Sequence, residues 1–345
     1  MKKGLFILVI ISLMLVIVAC NTSKKEVLNV YNWGEYIDQE VLSKFEKEYN
    51  VHVNYQNFAS NEEMYVKLKN GESEYDVVFP SDYMIEKMIK EDMLAEINLD
   101  NIPNSSNVDS RFLNMEFDPE NKYSIPYFWG TLGILYDKTI VKEPVDSWNV
   151  LWNEKYSKQI LMYDSQRDSL GVALLKLGYS LNSRDEQELR EAKDALIAQK
   201  PLVLSYVGDQ GIDMMIGGEA AISVVYSGDA VYCMEENENL EYVVPKEGSN
   251  IWIDGMVIPK SSPNKELAET FINFMNDPEI AKMNTEYVGY STPNKDTFDM
   301  IKDEDWTKHQ AYSPSQDVLD RCELFRDPGE YVDLYGTIWT EFKAQ

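Results

Sequence analysis

The stretch Asn250-Ile251-Trp252-Ile253-Asp254-Gly255-Met256-Val257-Ile258-Pro259 decides how the rest of the chain is read. It is an apolar run carrying one carboxylate, with Trp252 and Asp254 two positions apart. In a strand, side chains alternate in direction, so these two share a face. A carboxylate beside an indole can hold a cation: the acid pairs with the charge and the ring face attracts it. A core Trp with a solvated or helix-capping Asp has the same pattern, and the pair alone does not separate the two.

Upstream, strands alternate with helices. Residues 27–31 read as a strand that ends in Asn32-Trp33-Gly34-Glu35-Tyr36, and a helix follows with Val41, Leu42, Phe45 and Tyr49 on one face. Residues 51–55 alternate as a second strand. Ser60 with Glu63 makes a capping box for a helix carrying Met64 and Leu68. Residues 75–79 form a buried-type strand, and Ser81-Asp82-Tyr83 opens the next helix. This order predicts an α/β layer fold with a largely parallel sheet. Ligands of open α/β sheets sit beyond the carboxyl ends of the strands, where residues 33–36 and 81–83 fall. Turn and N-cap chemistry accounts for the same residues.

Residues 98–122, rich in Asn, Asp and Pro, read as a long surface excursion. Residues 123–130 then lead into a strand over 131–136, a candidate crossover to a second domain. Trp148, Trp152 and Tyr156 have helix-compatible spacing and read as core. After a short strand at 160–163, Asp164-Ser165-Gln166-Arg167-Asp168 opens a helix, where Asp168 either complements the helix N-terminus or faces a cleft. Ser183 and Glu186 suggest a second capping box, for a helix reaching Gln199. Residues 220–226 form a strand ending in Ser227-Gly228-Asp229. Pro263 and Pro278 fit first helical positions, with Asp277 as an N-cap. The tail is helical, with Tyr331, Leu334, Tyr335, Ile338, Trp339 and Phe342 on its apolar face.

The chain has 345 residues and carries 32 Lys and Arg against 59 Asp and Glu, a net charge of −27. Such a surface repels nucleic acid and steers cations inward. Residues 1–19 read as a signal peptide: Lys2 and Lys3, then an apolar run too short to span a bilayer. Ile17-Val18-Ala19-Cys20 resembles a bacterial lipobox, with Cys20 the lipid attachment point and residues 20–25 a polar leash. Cys233 and Cys322 could pair in an exported protein. Only His52 and His309 are present, which weighs against hydrolase triads and zinc sites. No cofactor and no metal is expected.

Together, Tyr31-Asn-Trp-Gly-Glu-Tyr-Ile, the run from Ser60 to Leu68, the run from Tyr75 to Met88, Tyr123-Ser-Ile-Pro-Tyr-Phe-Trp-Gly-Thr, Leu174 to Ser180, Pro245 to Pro259 and Gly289-Tyr-Ser-Thr-Pro-Asn resemble the spermidine/putrescine-binding proteins of bacterial polyamine ABC importers. The resemblance covers nearly all of the chain from Val27. It implies a two-lobed type II periplasmic-binding-protein fold, with discontinuous domains joined by two crossovers: residues 26–130 plus 255–300 as lobe 1, and 131–254 plus 301–345 as lobe 2. It also implies a ligand held between the lobes by Trp33, Glu35, Tyr36, Ser81, Tyr83, Asp168, Tyr226, Trp252, Asp254 and Tyr290. Gly34, Ser165 and Tyr226 depart from the family pattern, where a hydroxyl residue, an acid and, in some members, Trp stand. A polar tail contact falls near Phe325-Arg326, but an Arg there would repel an ammonium. Gly255 stands where the chain would flex as the lobes close.

The residue chemistry agrees with that implication. Putrescine and spermidine are methylene chains punctuated by ammonium groups, so a binder needs carboxylates at the nitrogens and aromatic walls between them. The expected partners are a polyamine, the permease subunits of the importer and the membrane through the lipid anchor, with no nucleic acid and a monomeric chain. No enzymatic activity is expected. The alternatives are the same fold holding another small cationic solute and an exported carboxylate-pair glycosidase.

Overall fold

The computed structural model describes residues 25–71 and 74–345; the signal segment, Cys20 and most of the leash lie outside them. The first strand, β1 (Val27–Trp33), pairs in parallel with β2 (His52–Phe58) and with β3 (Val77–Val78). The long strand β4 (Ser124–Asp137) follows, then β5 (Ile160–Tyr163), β6 (Val203–Val207), β7 (Ile222–Tyr226), β8 (Leu240–Val243) and β9 (Ile251–Val257). Their order in the sheet is β2-β1-β3-β9-β4-β7-β5-β6, with β8 also on β4.

The quoted stretch is β9, as its apolar pattern predicts. It runs antiparallel to β3 and to residues 124–131 of β4, while residues 132–137 of β4 pair with β7 and β8. One strand thus serves both halves of the molecule. The apolar cores divide at the same place. One gathers residues from Leu28 to Trp129 and resumes from Trp252 to Ile280. Two others, around Trp148 and Phe342 and around Leu135 and Tyr312, lie on the far side. The result is a two-lobed type II periplasmic-binding-protein architecture.

Local signals hold at some helix starts. Asp277 accepts from the Glu279 N–H at 3.0 Å ahead of Pro278, and Ser60 accepts from the Glu63 N–H at 3.1 Å. Four expectations need correction. The sheet is mixed rather than largely parallel, because β4 runs antiparallel to β7, β8 and β9, and β9 antiparallel to β3. The helix ending at Gln199 is capped by Asp185, not Ser183; Asp185 takes two amide protons, from Gln187 and Glu188, where Ser183 takes the N–H of Asp185 itself. Pro263 precedes its helix, which starts at Lys265 after Asn264. The strand expected over 75–79 contracts to Val77–Val78, and the Asp76 carboxylate beside it accepts from the Asn29 N–H and the Ser262 hydroxyl. The surface excursion expected over 98–122 is ordered. It holds three 3-10 turns, buries Ile102, Val108 and Phe112, and ends on Asp118, which accepts from the amides of Lys122, Tyr123 and Ser124.

Cys233 and Cys322 are both unpaired. Among the described residues no helix is long and apolar enough to cross a membrane, and no group of three or more His, Cys, Asp or Glu is placed to hold a metal ion.

Candidate functional site

The carboxyl ends of β1, β3, β5 and β7 open toward one region beside β9. Period-2 geometry sets Trp252 and Asp254 there, both almost fully buried. Two glycines make room. A Cβ on Gly130 would lie 2.6 Å from the Trp252 ring, and one on Gly228 would lie 2.1 Å from the Tyr290 ring.

A row of aromatic rings crosses this region. Tyr36 meets Tyr290 at 5.9 Å, Tyr290 meets Trp252 at 5.0 Å, and Trp252 meets Tyr226 at 6.1 Å, all edge to face. Tyr163, which sequence reasoning did not select, extends the row at 4.9 Å from Tyr226. The edge-to-face geometry suits rings with a quadrupole.

Acids are set along the row. The Tyr36 hydroxyl donates to Asp254 Oδ2 at 2.8 Å, and the Tyr226 hydroxyl donates to Asp168 Oδ2 at 3.0 Å. The other oxygen of each carboxylate, and the indole N–H of Trp252, are buried with no protein partner. A buried charge without a partner is costly. Burial accordingly pushes Asp254 up to about 6, with the hydroxyls of Ser81 and Tyr36 pulling the other way. Asp168 is raised by burial too, opposed by Ser165, Tyr226 and the Arg167 guanidinium. Ser165 is spent locally as the N-cap of helix Gln166–Leu177.

Ser81 and Tyr83 are held by Asn61, whose side-chain N–H reaches both hydroxyls at 3.1 Å and whose oxygen accepts from the Ser81 amide. Ser81 forms an isolated bridge to Asp254, so the segment after β3 stays in register with β9 there. Trp33 and Glu35 are tied elsewhere. The Trp33 indole donates to the Phe79 carbonyl at 2.8 Å and its ring packs on Phe58. Glu35 is exposed and accepts from the Tyr287 hydroxyl at 2.7 Å. Arg326, near the expected tail contact, is consumed by Glu86 and Glu116.

The sequence reading missed Asn61, Asp82 and Asp229. Asp82 is fully buried, ties the Ile253 N–H at 3.1 Å, and is raised to about 8 by burial, partly offset by the Ile253 and Tyr83 amides. Asp229 accepts from the Tyr290 hydroxyl at 3.0 Å. All three follow Ser, Gly or Pro-bounded turns where polar residues ordinarily cap helices, so nothing local marks them.

A buried cluster of acids and aromatic rings at the strand ends of a two-lobed α/β fold defines a class. The chain belongs to the bacterial extracellular solute-binding protein family, whose model matches residues 40–314. Within it, the chain is similar to the spermidine/putrescine-binding periplasmic protein of Salmonella typhimurium, 35% identical over 328 residues that cover 94% of each chain. It is also similar to the putrescine/cadaverine-binding protein of Pseudomonas aeruginosa, 30% identical over 95% of this chain and 96% of the relative. Among solved structures it is similar to the spermidine/putrescine ABC transporter substrate-binding protein PotD of Streptococcus pneumoniae. That match has 44% identity and a TM-score of 0.83, and covers 93% of this chain and 99% of the other.

Proposed function

We propose that this chain is the polyamine-capturing component of an ABC importer. The observation that carries the reading is the set of buried carboxylates, Asp254 and Asp168, that face an aromatic row and have no cationic side chain paired to them among the described residues. An ammonium supplies what the fold omits. Each charge-assisted hydrogen bond is worth roughly 1.5–3 kcal/mol, and each cation–π contact about 0.5–2 kcal/mol. Micromolar affinity needs about 8 kcal/mol net, so a few such contacts suffice after the costs of ordering. Aromatic edges and faces of Tyr36, Tyr226, Trp252 and Tyr290 fit the methylenes between nitrogens. Ser81 and Tyr83 supply neutral polar contacts, and Trp33 and Glu35 would complete the rim.

Residues 26–130 with 255–300 form lobe 1 and residues 131–254 with 301–345 form lobe 2 in this reading, which the division of the apolar cores supports. Closure of the lobes on the ligand presents one shape to the permease. The chain is exported, anchored through lipid on Cys20, and acts as a monomer without turning over its ligand. The similarity to polyamine-binding relatives supports the ligand class. The alternative within the same fold is another small cationic solute.

Calorimetric titration of the mature chain with putrescine, cadaverine, spermidine, spermine, arginine and a neutral sugar tests the proposal. Heat with polyamines and none with the sugar is the expected pattern. No heat with any polyamine sinks it, and heat with arginine alone favours the alternative.

A further inference from the structure

Three separate segments complete the edge of β9 that faces away from β4. Alternation along the strand turns the amides of Ile251, Ile253 and Gly255 to that edge. The Ile251 N–H donates to the Glu323 carbonyl at 3.0 Å, and the Gly255 N–H donates to the Pro80 carbonyl at 3.0 Å. Between them the acceptor is a side chain: the Ile253 N–H donates to Asp82 Oδ2 at 3.1 Å. The path of the chain explains the exchange. β3 pairs with β9 at Val78 and Val257, and Ser81 bridges Asp254, but Ser81 is also the N-cap of helix Asp82–Lys90, so the backbone leaves the sheet there. The Asp82 carboxylate accepts where the carbonyl of the same residue would accept had the strand continued. Its other oxygen takes the Tyr83 N–H at 2.6 Å. One turn on, Ile85 presses so closely on β9 that a Cβ on Gly255 would lie 2.9 Å from its Cδ1. Asp82 and Ile253 are each 1% exposed, so water replaces neither partner.

We propose that Asp82 is a positioning residue of the candidate site: standing in for a strand carbonyl, it sets Trp252 and Asp254 on β9 against Ser81 and Tyr83 on the turn after β3. The inference rests on the polyamine reading of the site. Trp252 and Asp254 flank Ile253, and Ser81 and Tyr83 flank Asp82, so one hydrogen bond joins the centres of two pairs of proposed ligand contacts. Asp82 acts through those neighbours rather than on the amine, since each of its oxygens is taken by a backbone amide and the side chain is buried. Without the bond the Ile253 N–H stays buried with no acceptor, and β9 has to shift or twist to satisfy it. Hydrogen bonds weaken steeply as distance and angle depart from the optimum, so a small displacement of Asp254 lowers its hold on an ammonium.

Two plainer roles compete with this one: Asp82 only stabilises the fold, or it acts at a distance by its charge. Three substitutions separate them. Asp82→Asn keeps an acceptor for the Ile253 N–H and drops the charge. Asp82→Ala drops both, and Asp82→Glu keeps both but moves the acceptor by one methylene. Calorimetric titration of wild type and the three variants with putrescine and spermidine, well below the ligand-free melting temperature of each, is the test. Asp82→Ala and Asp82→Glu are expected to lose at least tenfold in affinity, and Asp82→Asn is expected to stay within threefold of wild type. Affinity within twofold of wild type in Asp82→Ala, beside a lowered melting temperature, overturns the inference and leaves Asp82 a residue of the fold alone. A loss in Asp82→Asn as large as that in Asp82→Ala also overturns it, because the charge and not the bond is then what counts. If Asp82→Ala does not fold, Asp82→Glu decides by the same limits. These outcomes leave the polyamine reading standing, whereas a wild type that binds neither amine removes that reading and this inference with it.

Discussion

The two faces of β9 treat charge in opposite ways. On one face Asp254 shares a buried environment with Trp252, and one of its oxygens meets no protein donor. On the other face Ile251 and Ile253 line a groove of about 710 Å³ whose rim holds Glu116, Glu323 and Arg326. There the charges are paired from within. Arg326 grips Glu86 at 2.9 and 3.1 Å and pairs with Glu116, Lys90 reaches Glu86 at 3.0 Å, and the Asp327 amide completes the set. Burial alone would raise Glu86, but Arg326, the Asp327 N–H and Lys90 outweigh it and hold the carboxyl down at about 2. An acid that the fold neutralises is a structural joint. An acid that the fold leaves unpaired at similar burial is, in the proposed reading, the place where an ammonium docks.

The largest expected break in this contrast is at Asp254. Asp254→Asn keeps the shape and the Tyr36 partner but removes the charge, so polyamine affinity should fall at least about tenfold, or roughly 1.4 kcal/mol. Without ligand the variant should be as stable as wild type or more so, since burial of the charge is unfavourable. Calorimetry and thermal melting check both. Unchanged affinity with intact folding would take Asp254 out of the site.

Next comes pH, where the two faces should separate by sign. Asp254 at about 6, Asp229 at about 7 and Asp82 at about 8 are all raised above an unfolded value near 4, chiefly by burial. The folded chain therefore holds protons that the unfolded chain has lost. Ligand-free stability from these groups is full below about pH 4 and declines as pH rises to about 8. Glu86 has the opposite sign: its contribution is present above its unfolded value and is lost as pH falls toward about 2. Ligand affinity should run against the first trend. Between pH 7 and pH 5, protonation of Asp254 should weaken binding about tenfold, while the melting temperature without ligand rises. Affinity and ligand-free stability that rise together on acidification would refute the separation.

How far the sequence carries this picture follows from range. Trp252, Asp254 and the aromatic turns after β1, β3 and β7 are legible because period-2 alternation and strand-end position are local properties. The helix capped by Asp185 rather than Ser183 shows the limit even there: several polar residues in one turn compete, and geometry picks among them. The Glu86–Arg326 joint is 240 residues apart and has no local mark at all. Asp229 and Asp82 read as helix-start acids, and only packing turns them toward Tyr290 and Ile253. Glu86→Gln sharpens the contrast from the joint side. It should cost about 1–3 kcal/mol of stability, by weakening the hydrogen bonds of a mostly buried carboxylate to partly exposed cations. Polyamine affinity should stay within about threefold. A melting temperature equal to wild type, read beside the titration, would show that the joint carries no stability.

The smallest effect should come from an acid that resembles Asp254 in type and differs in setting. Glu35 lies on the turn after β1, in the left-handed region at φ 49°, exposed, with its carboxylate taken up by the Tyr287 hydroxyl. Solvent screens an ammonium from such a group, so removing its charge should matter little; exposed pairs are worth about 0–1 kcal/mol. Glu35→Gln keeps the acceptor for Tyr287 and should change polyamine affinity by less than about threefold at moderate salt, against the tenfold or more expected at Asp254. If titration shows Glu35→Gln losing as much as Asp254→Asn, burial is not what sets the strength of an acid in this cleft. The rim would then close over the ligand and desolvate Glu35 in the bound state, and the contrast between unpaired and paired acids would have to be drawn from the closed form.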